Sequence, residues 1–416
     1  MKLLYTICIW LKYSLERVFC HSLHAFWRIV GKIPKVPSKA VLIIRPDGLG
    51  DMLVSLSSVR AIYDHFHAKG YRIVLLHSMG TLPIVSGSPF IDELLSVDVE
   101  SVRSSLPKRL ELFEELARLR PEYAVNLLFL PKASRLDHQL AFFCGALHKC
   151  TIASRSFVRV DQYYEGYSDE ARSFCRRLAR KLLPNQAKSQ ALLSLWGNAW
   201  QGIYDICPVI QENADVYALE NRLVDAVCNA HHEIELCPPK WMHQEDVALP
   251  ERYYLVVPTA NLVSKCWPEE RFAKLIDELS RIFPDRTAVI TGGKQDHSVV
   301  ERILSLVSKN VKVLNLCGKT SLPQLFGLVE NAELIVGNDT GTAHVAGVLG
   351  KAQVVIVGGG HFGLYFPNRQ YKKTLVAALQ KPCFNCHYLC HGLANDRYPC
   401  IAEISVELVL QRIMSL

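Results

Sequence analysis

The first thirty residues carry a hydrophobic pattern that differs from the rest of the chain. Apolar side chains recur at steps of three and four, which predicts a helix with one apolar stripe. The stripe comprises Leu4, Ile7, Leu11, Leu15, Val18, Phe19, Leu23, Phe26 and Val30. Charged residues such as Lys12 and Arg28 interrupt every stretch long enough to cross a bilayer, so we expect no spanning helix. We also expect no cleaved signal peptide, because no small-residue cleavage site follows.

From about residue 40, short apolar runs alternate with amphipathic stretches. The runs lack the in-and-out alternation of a half-exposed sheet, so they predict buried parallel strands. These strands are expected at 41–44, 73–76, 124–129, 254–258, 288–291, 313–316, 334–336 and 354–357. Helices are expected at 52–68, 269–283, 299–307 and 322–330. The alternation indicates an α/β, doubly wound architecture.

The predicted strands form two groups, separated by residues 155–230, which are predicted to be mostly helical without clear strands. Residues 231–250 contain three prolines and few periodic apolar positions, which is typical of an interdomain linker. We therefore predict an amphipathic N-terminal helix over 1–38, a Rossmann-like domain with a helical insertion over 39–235, and a second Rossmann-like domain over 250–416. Ligands of such sheets bind beyond the C-terminal ends of the strands.

Composition and charge narrow the class of protein. Half of the 416 residues are apolar and 21% are charged, which excludes a disordered or fibrous chain. The net charge is +7, but residues 1–40 hold seven basic residues and one acidic residue, so the body is nearly neutral and no nucleic-acid partner is expected. Positive charge beside an apolar stripe favours contact with a membrane surface through residues 1–30, with Trp10 and Trp27 at headgroup depth. The alternative is a helix packed on the body or on a second subunit.

One strand–turn–helix motif follows the first predicted strand, with the sequence Arg-Pro-Asp-Gly-Leu-Gly-Asp over residues 45–51. Gly48 and Gly50 permit a ligand to approach the backbone closely, and Asp51 lies near the start of the helix. Asp47 or Asp51 alternatively serves only as a helix cap. The glycine spacing does not match the dinucleotide-binding fingerprint.

A second such motif, Gly-Asn-Asp-Thr-Gly-Thr-Ala-His, covers residues 337–344. Backbone amides at a helix start, together with the hydroxyls of Thr340 and Thr342, form a cradle suited to a diphosphate. His344 adds a possible donor, although a lone histidine is more often structural.

Two further loops follow strands of the second group. Thr259 and Lys265 come after the strand at 254–258, where Lys265 either neutralises a phosphate or is simply solvated. The stretch from Thr291 to Asp296 contains Gly292 and Gly293, and an acidic side chain such as Asp296 suits ribose hydroxyls.

These motifs together resemble glycosyltransferase family 9, the ADP-heptose:lipopolysaccharide heptosyltransferases, over residues 40–416. The resemblance is strongest in Lys-Cys-Trp-Pro-Glu-Glu-Arg-Phe (265–272), in Leu-Cys-Gly-Lys-Thr-Ser-Leu (316–322) and in residues 337–344. It implies the GT-B fold, in which the N-terminal domain mainly binds the acceptor and the C-terminal domain binds the nucleotide sugar. It also implies an inverting transfer that needs no catalytic metal.

The resemblance assigns roles to residues by their motif positions. Asp51 corresponds to the general base, and Lys265 to a lysine that contacts the donor phosphate during catalysis. The donor-binding residues it implies are Asp296, Asp339, Thr340, Gly341 and His344, to which the motifs above add Thr259 and Thr342.

Four of the 14 cysteines, Cys383, Cys386, Cys390 and Cys400, fall within 18 residues. Four thiolates at such spacing predict a structural zinc or iron site, and a closed set of four leaves no open position for catalysis. Reduced packing thiols and disulfides remain alternatives.

The resulting expectation is an enzyme: an inverting glycosyltransferase that moves a heptose or related sugar from an ADP-sugar to a lipopolysaccharide core or related glycan. We expect it on the inner face of the bacterial cytoplasmic membrane. The alternatives are another nucleotide sugar, a protein acceptor, a non-catalytic binding module or a nucleotide-sugar epimerase. The presence of both Asp51 and Asp339 favours the transferase.

Overall fold

The N-terminal half is built on a parallel five-stranded sheet. The computed structural model describes residues 18–128, 135–154, 203–210, 214–242, 245–384, 390, 393 and 396–416. The sheet contains β1 (Ser38–Arg45), β2 (Arg72–Ser78), β3 (Glu93–Val97), β4 (Pro121–Asn126) and β5 (His148–Cys150), in the order β3-β2-β1-β4-β5. Its helices are α1 (residues 18–29), α2 (Leu49–His67), α3 (Leu82–Val85), α4 (Val99–Ser104), α5 (Leu106–Leu119) and α6 (Arg135–Phe143). Two short strands, β6 (Ala153–Ser154) and β7 (Val209–Ile210), pair beside it.

The C-terminal half repeats the plan with six parallel strands. They are β8 (Tyr253–Val257), β9 (Thr287–Ile290), β10 (Val313–Asn315), β11 (Leu334–Asn338), β12 (Gln353–Ile356) and β13 (Thr374–Ala377), in the order β10-β9-β8-β11-β12-β13. The helices are α7 (Val216–Cys228), which precedes this sheet, and then α8 (Glu269–Ile282), α9 (His297–Leu306), α10 (Leu322–Asn331), α11 (Gly341–Val348), α12 (Pro399–Ala402) and α13 (Val406–Ile413). Both strand orders reverse beside the first strand of the half, at β1/β4 and at β8/β11, which is where doubly wound sheets bind ligands.

The central strands explain why the sequence folds this way. Residues 41–44 of β1 and 254–256 of β8 are completely buried, because helices cover both faces of each sheet. The predicted α/β architecture with two Rossmann-like sheets is therefore confirmed. The predicted domain boundaries at 38, 235 and 250 remain predictions.

Helix α7 connects the two halves. It packs along α2 of the N-terminal half, and its first residues contact the C-terminal half. The Val216 amide donates to the Leu364 carbonyl at 2.9 Å, and the hydroxyls of Tyr217 and Tyr371 lie 3.3 Å apart. These contacts fix the cleft between the two sheets from one side.

All eight predicted strands are present within a few residues, but three edge strands were not predicted. In β3, β5 and β13 most side chains are partly exposed. Polar residues interrupt the apolar run in β3 (Glu-Leu-Leu-Ser-Val) and β5 (His-Lys-Cys), unlike in a buried central strand. The strand β13 does have an apolar run, Leu-Val-Ala, but it was not predicted. The strand β7 also lies in the region expected to contain helices alone. Residues 155–202 and 211–213 of that region, and Phe129 of the predicted third strand, lie outside the described residues.

Helix α1 packs on the N-terminal half, which corrects one expectation. Trp27 is only 5% exposed, and its ring lies 5.6 Å from that of Phe143, so Trp27 does not reach a membrane headgroup region. Cys20 is buried on the same side. The opposite face exposes Val18, Phe19, Phe26, Ile29 and Val30. Trp10 lies outside the described residues, and among those described no helix has the length and hydropathy to span a bilayer.

Candidate active site

A cavity of about 600 Å³ lies between the two halves, at the C-terminal ends of β1, β8, β9 and β11. The nine residues that the sequence singled out for catalysis and donor binding all line it: Asp51, Thr259, Lys265, Asp296, Asp339, Thr340, Gly341, Thr342 and His344. Of these nine, Asp51 alone comes from the N-terminal half. The two strand–turn–helix motifs, almost 300 residues apart in sequence, thus face each other across one cleft.

The starts of α2 and α11 approach each other closely at this cleft. A Cβ atom at Gly50 would lie 2.6 Å from Cδ2 of His344, and one at Gly341 would lie 3.1 Å from Cβ of Leu49. A side chain at Gly50 would therefore collide with the His344 ring, and one at Gly341 would press on Leu49. Two helix N-termini, each carrying partial positive charge, converge on one space, which favours an anionic ligand.

Asp51 is held at the cleft wall by residues from both halves. The Tyr365 hydroxyl donates to Asp51 Oδ1 at 2.7 Å, and Arg45 Nη2 lies 3.5 Å from the same oxygen. The N-cap of α2 is Gly48, and no side chain caps it. Asp51 is therefore not the helix cap that the sequence left open, and its side chain is 30% exposed at the cavity.

Arg45 is the buried centre of this arrangement. Its guanidinium donates to the Leu127 carbonyl at 3.0 Å and lies within 3.7 Å of carboxylate oxygens of Asp47, Asp51 and Glu220. Burial alone would lower the pKa of Arg45, but the three carboxylates raise it above its ordinary value. Arg45 therefore remains a cation beside Asp51.

Glu220 is fully buried on α7 and supports Arg45 from behind. Ser55 and Ser58 each donate a hydroxyl to it at 2.6 Å. Burial raises the pKa of Glu220, while Arg45 and the two serine hydroxyls act in the opposite direction. This buried carboxylate links the bridging helix α7 to the wall that carries Asp51.

The opposite wall combines a helix start with two loops. Thr340 caps α11, its hydroxyl accepting from the Thr342 amide at 3.2 Å. The Asp296 carboxylate accepts from the Thr259 hydroxyl at 2.8 Å and from the Gly293 amide at 2.7 Å. Asp296 thus holds two cavity loops together, and its predicted contact with a ribose remains a prediction.

His344 is buried and faces an aromatic cluster. Its Nδ1 lies 3.0 Å from the Tyr371 hydroxyl, and its ring lies 4.8 Å from that of Phe366. This placement gives His344 a packing role at the junction of the two halves, and its contact with a donor stays a prediction.

Three site residues were missed by sequence reasoning. Tyr365 and Glu220 lie outside every motif, and both are brought to Asp51 only by tertiary packing. Asn338 was inside the second motif without a role; its amide donates to the Pro258 carbonyl at 2.6 Å and its carbonyl accepts from the Trp267 amide at 3.0 Å. Its position at the end of β11, directly after Gly337 in the motif, was the available signal.

Three of the four clustered cysteines meet in a second, smaller cavity of about 130 Å³. Cys383, Cys390 and Cys400 line it, and the Gly359 amide lies 3.3 Å from Cys400 Sγ. Cys386 lies outside the described residues. The thiols present are the donor type that zinc and iron prefer.

A separate histidine–cysteine group, not expected from the sequence, joins α2 and α7. Ligand atoms of His65, Cys228 and His232 lie within 4.8 Å of one another. However, Lys69 Nζ lies 2.6 Å from His65 Nε2, so an ammonium group already stands at this nitrogen. That contact disfavours a metal ion at this position.

Comparison with known proteins shows which family the second half of the chain resembles. Residues 209–389 match the family model described as glycosyltransferase family 9 (heptosyltransferase). This part of the chain is therefore similar to glycosyltransferase family 9, in agreement with the resemblance seen in the motifs.

A curated relative, lipopolysaccharide heptosyltransferase 3 of Escherichia coli, is 30% identical over 110 residues, which are 26% of this chain and 32% of that protein. The aligned part thus spans only about a third of the relative's length.

Solved structures extend the likeness of fold over most of the chain. The structure described as E. coli ADP-heptose lps heptosyltransferase II has a TM-score of 0.56 at 19% identity, covering 90% of this chain and 98% of that one. The structure of the bacterial iron-containing dodecameric glycosyltransferase TibC from enterotoxigenic E. coli H10407 has a TM-score of 0.50 at 11% identity, covering 92% and 77%. At such low sequence identities the similarity concerns the fold alone. The structural similarity confirms the predicted GT-B fold.

Proposed function

We propose that this protein is an inverting glycosyltransferase that moves a heptose or related sugar from an ADP-sugar to a lipopolysaccharide core or related glycan. One observation supports this proposal above the others. A carboxylate of the N-terminal half, Asp51, shares a cavity with Lys265 and the start of α11 on the C-terminal half. An inverting transfer needs a base and a diphosphate-binding group on opposite sides of the cavity, because the acceptor attacks the face of the sugar opposite the leaving group.

In this proposal Asp51 accepts the proton of the acceptor hydroxyl as that oxygen attacks the anomeric carbon. The bond from the anomeric carbon to the diphosphate breaks, and the nucleoside diphosphate leaves with the electron pair. Asp51 is a carboxylate at a helix start, so it is a weak base whose main contribution is position.

The leaving diphosphate is stabilised in this account by Lys265 and by the amides at the start of α11. Such fixed donors act where negative charge develops, and this stabilisation supplies much of the rate enhancement in many transfer reactions. In the proposal these groups stabilise the negative charge of the leaving diphosphate, and no step is assigned to a catalytic metal.

Donor choice and transfer test the proposal together. We expect ADP-heptose to raise the melting temperature more than GDP- or UDP-sugars at equal concentration, because a ligand that binds only the folded state stabilises it. We also expect a heptose-deficient core glycolipid to gain the mass of one heptose. A larger shift with a GDP- or UDP-sugar would reassign the donor, and donor binding without transfer to any glycan would favour a binding module.

We further propose a structural zinc or iron ion at the cysteine cluster. Cys383, Cys390 and Cys400 already line one cavity, and Cys386 supplies a fourth thiol in the same stretch of sequence. Their role would be to fix the loop that follows β13, as structural metal sites do.

We propose, finally, that the outer face of α1 contacts the anionic inner face of the bacterial cytoplasmic membrane. This outer face consists of Val18, Phe19, Phe26, Ile29 and Val30, which are 47% to 83% exposed. Arg28, Lys32 and Lys35 lie in the same segment. Apolar side chains beside basic ones suit a surface of acidic lipids, where a glycolipid acceptor is found.

A further inference from the structure

The hydrogen bond between Tyr365 and Asp51 crosses from one half of the molecule to the other. Tyr365 lies on the loop between β12 and β13, whereas Asp51 lies in the first turn of α2. The bond is 2.7 Å long, a length typical of a hydroxyl that donates to an ionised carboxylate. Tyr365 is 8% exposed, and its ring packs 5.6 Å from that of His344.

The direction of this bond is fixed by chemistry. Burial and then the charge of Asp51 raise the pKa of Tyr365 well above its ordinary value, so the phenol keeps its proton at neutral pH. The phenol therefore donates, and Asp51 Oδ1 accepts. Arg45 Nη2 approaches the same oxygen from the N-terminal half, and Glu220 holds Arg45.

We propose that Tyr365 is a positioning residue for Asp51, so that the base of the reaction is complete only when the C-terminal half is closed against the N-terminal half. The proposal rests on the proposed function, in which Asp51 is the base. It assigns Tyr365 to orienting the carboxylate and not to bonding with the sugar.

This arrangement would couple closure of the cleft to chemistry. Arg45 approaches Asp51 Oδ1 at 3.5 Å, which is long for a hydrogen bond, whereas the bond from Tyr365 is short. Separation of the halves would remove the shorter bond and leave the carboxylate less well oriented. Transfer would then be slow until donor and acceptor draw both halves together.

The charged and titratable groups around Asp51 determine how its protonation depends on pH. Those on the N-terminal side are Arg45, Asp47 and Glu220, and those on the C-terminal side include Lys265, Asp339, His344, His361 and Tyr365. Tyr365→Phe removes one hydroxyl and leaves all the charges in place. Its effect on Asp51 therefore reports the hydrogen bond.

The test uses Tyr365→Phe with Tyr253→Phe as its matched control. Tyr253 is a buried tyrosine of β8 whose hydroxyl donates to the Leu328 carbonyl at 2.7 Å, away from the cleft. With ADP-heptose and a heptose-deficient core glycolipid, we expect Tyr365→Phe to lower kcat by about 10-fold with the donor KM within about twofold. The acid limb of kcat/KM should move up by about one pH unit, because the Asp51 anion loses a donor.

A second readout needs no substrate. In full-length protein labelled with [13Cγ]aspartate, the Asp51 signal is identified by its loss in Asp51→Asn and then titrated. We expect its midpoint to rise by about one pH unit in Tyr365→Phe and to stay fixed in Tyr253→Phe.

The outcomes separate the two claims. If wild-type protein transfers heptose and Tyr365→Phe keeps its rate, acid limb and midpoint, the positioning role is wrong and the proposed function stands. If Tyr365→Phe shifts the midpoint while wild-type protein transfers no sugar, the bond's effect on Asp51 is supported and the proposed function fails. A fall in both Tyr365→Phe and Tyr253→Phe without a pH shift would also overturn the positioning role.

Discussion

At the scale of single residues, a few side chains fix the geometry of the cleft wall. Arg45 is buried together with Glu220, and the pair is supported by the hydroxyls of Ser55 and Ser58. An ion pair of this kind contributes little net stability compared with apolar packing. Removing Glu220, however, leaves the buried Arg45 with one carboxylate fewer and removes the acceptor of the Ser55 and Ser58 hydroxyls. Glu220 is therefore expected to matter more for folding than its distance from the cavity suggests.

We predict that Glu220→Ala lowers the free energy of unfolding by about 3 kcal/mol. Glu220→Gln keeps the volume and a carbonyl acceptor for the serine hydroxyls, so it should lose less. The matched control is Glu407→Ala, which removes an exposed partner of Lys274 and should change stability little. Denaturant midpoints measure all three, and equal losses in Glu220→Ala and Glu407→Ala would contradict the account.

Some residues of the site could be predicted from the sequence, whereas others could not. Asp51, Asp339 and Lys265 were found because glycine and polar residues after an apolar strand form a local signal. Tyr365 carried no such signal, because a single tyrosine between two strands resembles many packing residues. Its partner lies 314 positions away, and only the packing of the two sheets brings them together.

At the scale of elements, the helix α1 was predicted correctly, but the position of its residue Trp27 was predicted wrongly. The amphipathic period predicted a helix, and residues 18–29 form one. The hydrophobic period did not predict that Trp27 packs against Phe143. The helix carries apolar residues on two faces, and the period does not show which of the two faces is buried. The edge strands β3 and β5 were not predicted, because their partly exposed positions carry polar residues that interrupt the apolar run.

We predict that α1 binds the body less tightly in acid. Burial, assisted by neighbouring positive charges such as Arg28, lowers the pKa of His24 from 6.5 to about 4. A detached helix takes up a proton as pH falls below about 6.5, whereas the docked helix does so only near 4. Docking is therefore strongest above pH 6.5 and weakens as pH falls toward 4.

Hydrogen exchange of residues 18–29 checks this dependence in wild type and in His24→Gln. The difference between the two proteins isolates His24 from other buried histidines such as His138. Identical pH profiles for the two proteins would show that His24 does not control docking.

We predict that the outer face of α1 drives vesicle binding. Replacing Phe26 and Ile29 by glutamine should reduce sedimentation with anionic vesicles several-fold at low salt, because the helix loses apolar area at the lipid boundary. The matched control replaces Leu306 and Met414, which are also exposed but lie in the C-terminal half. If both variants sediment alike, α1 has no special role at the membrane.

At the scale of the whole molecule, the fold was the property most readily predicted from the sequence. The way in which the two halves pack together to form the cleft was the least predictable property. Alternating strands and helices predicted two doubly wound sheets, and the motifs predicted which strand ends face the ligand. The sequence did not predict α7 as a bridge, since its contacts with α2 and with Leu364 depend on how the two sheets are placed.

We predict about one zinc or iron ion per chain, bound through Cys383, Cys386, Cys390 and Cys400. Elemental analysis of reduced protein should find the ion in wild type and in Cys144→Ser, which removes a buried thiol of the N-terminal half, but not in Cys400→Ser. An ion that is lost in Cys228→Ser instead would place the metal at the histidine–cysteine group. A metal-free wild-type protein would remove the prediction.

The central claim is that Asp51 acts as the base of sugar transfer from a nucleotide sugar held by the opposite wall. The most direct measurement is the rate of heptose transfer by wild type, Asp51→Asn and Asp64→Asn, together with donor affinity. Asp64 lies on the same helix, is 65% exposed and is remote from the cavity, so Asp64→Asn should behave as wild type. We predict that Asp51→Asn slows transfer by roughly 10²–10⁴-fold with donor affinity nearly unchanged. Transfer by Asp51→Asn at near the wild-type rate would contradict the account.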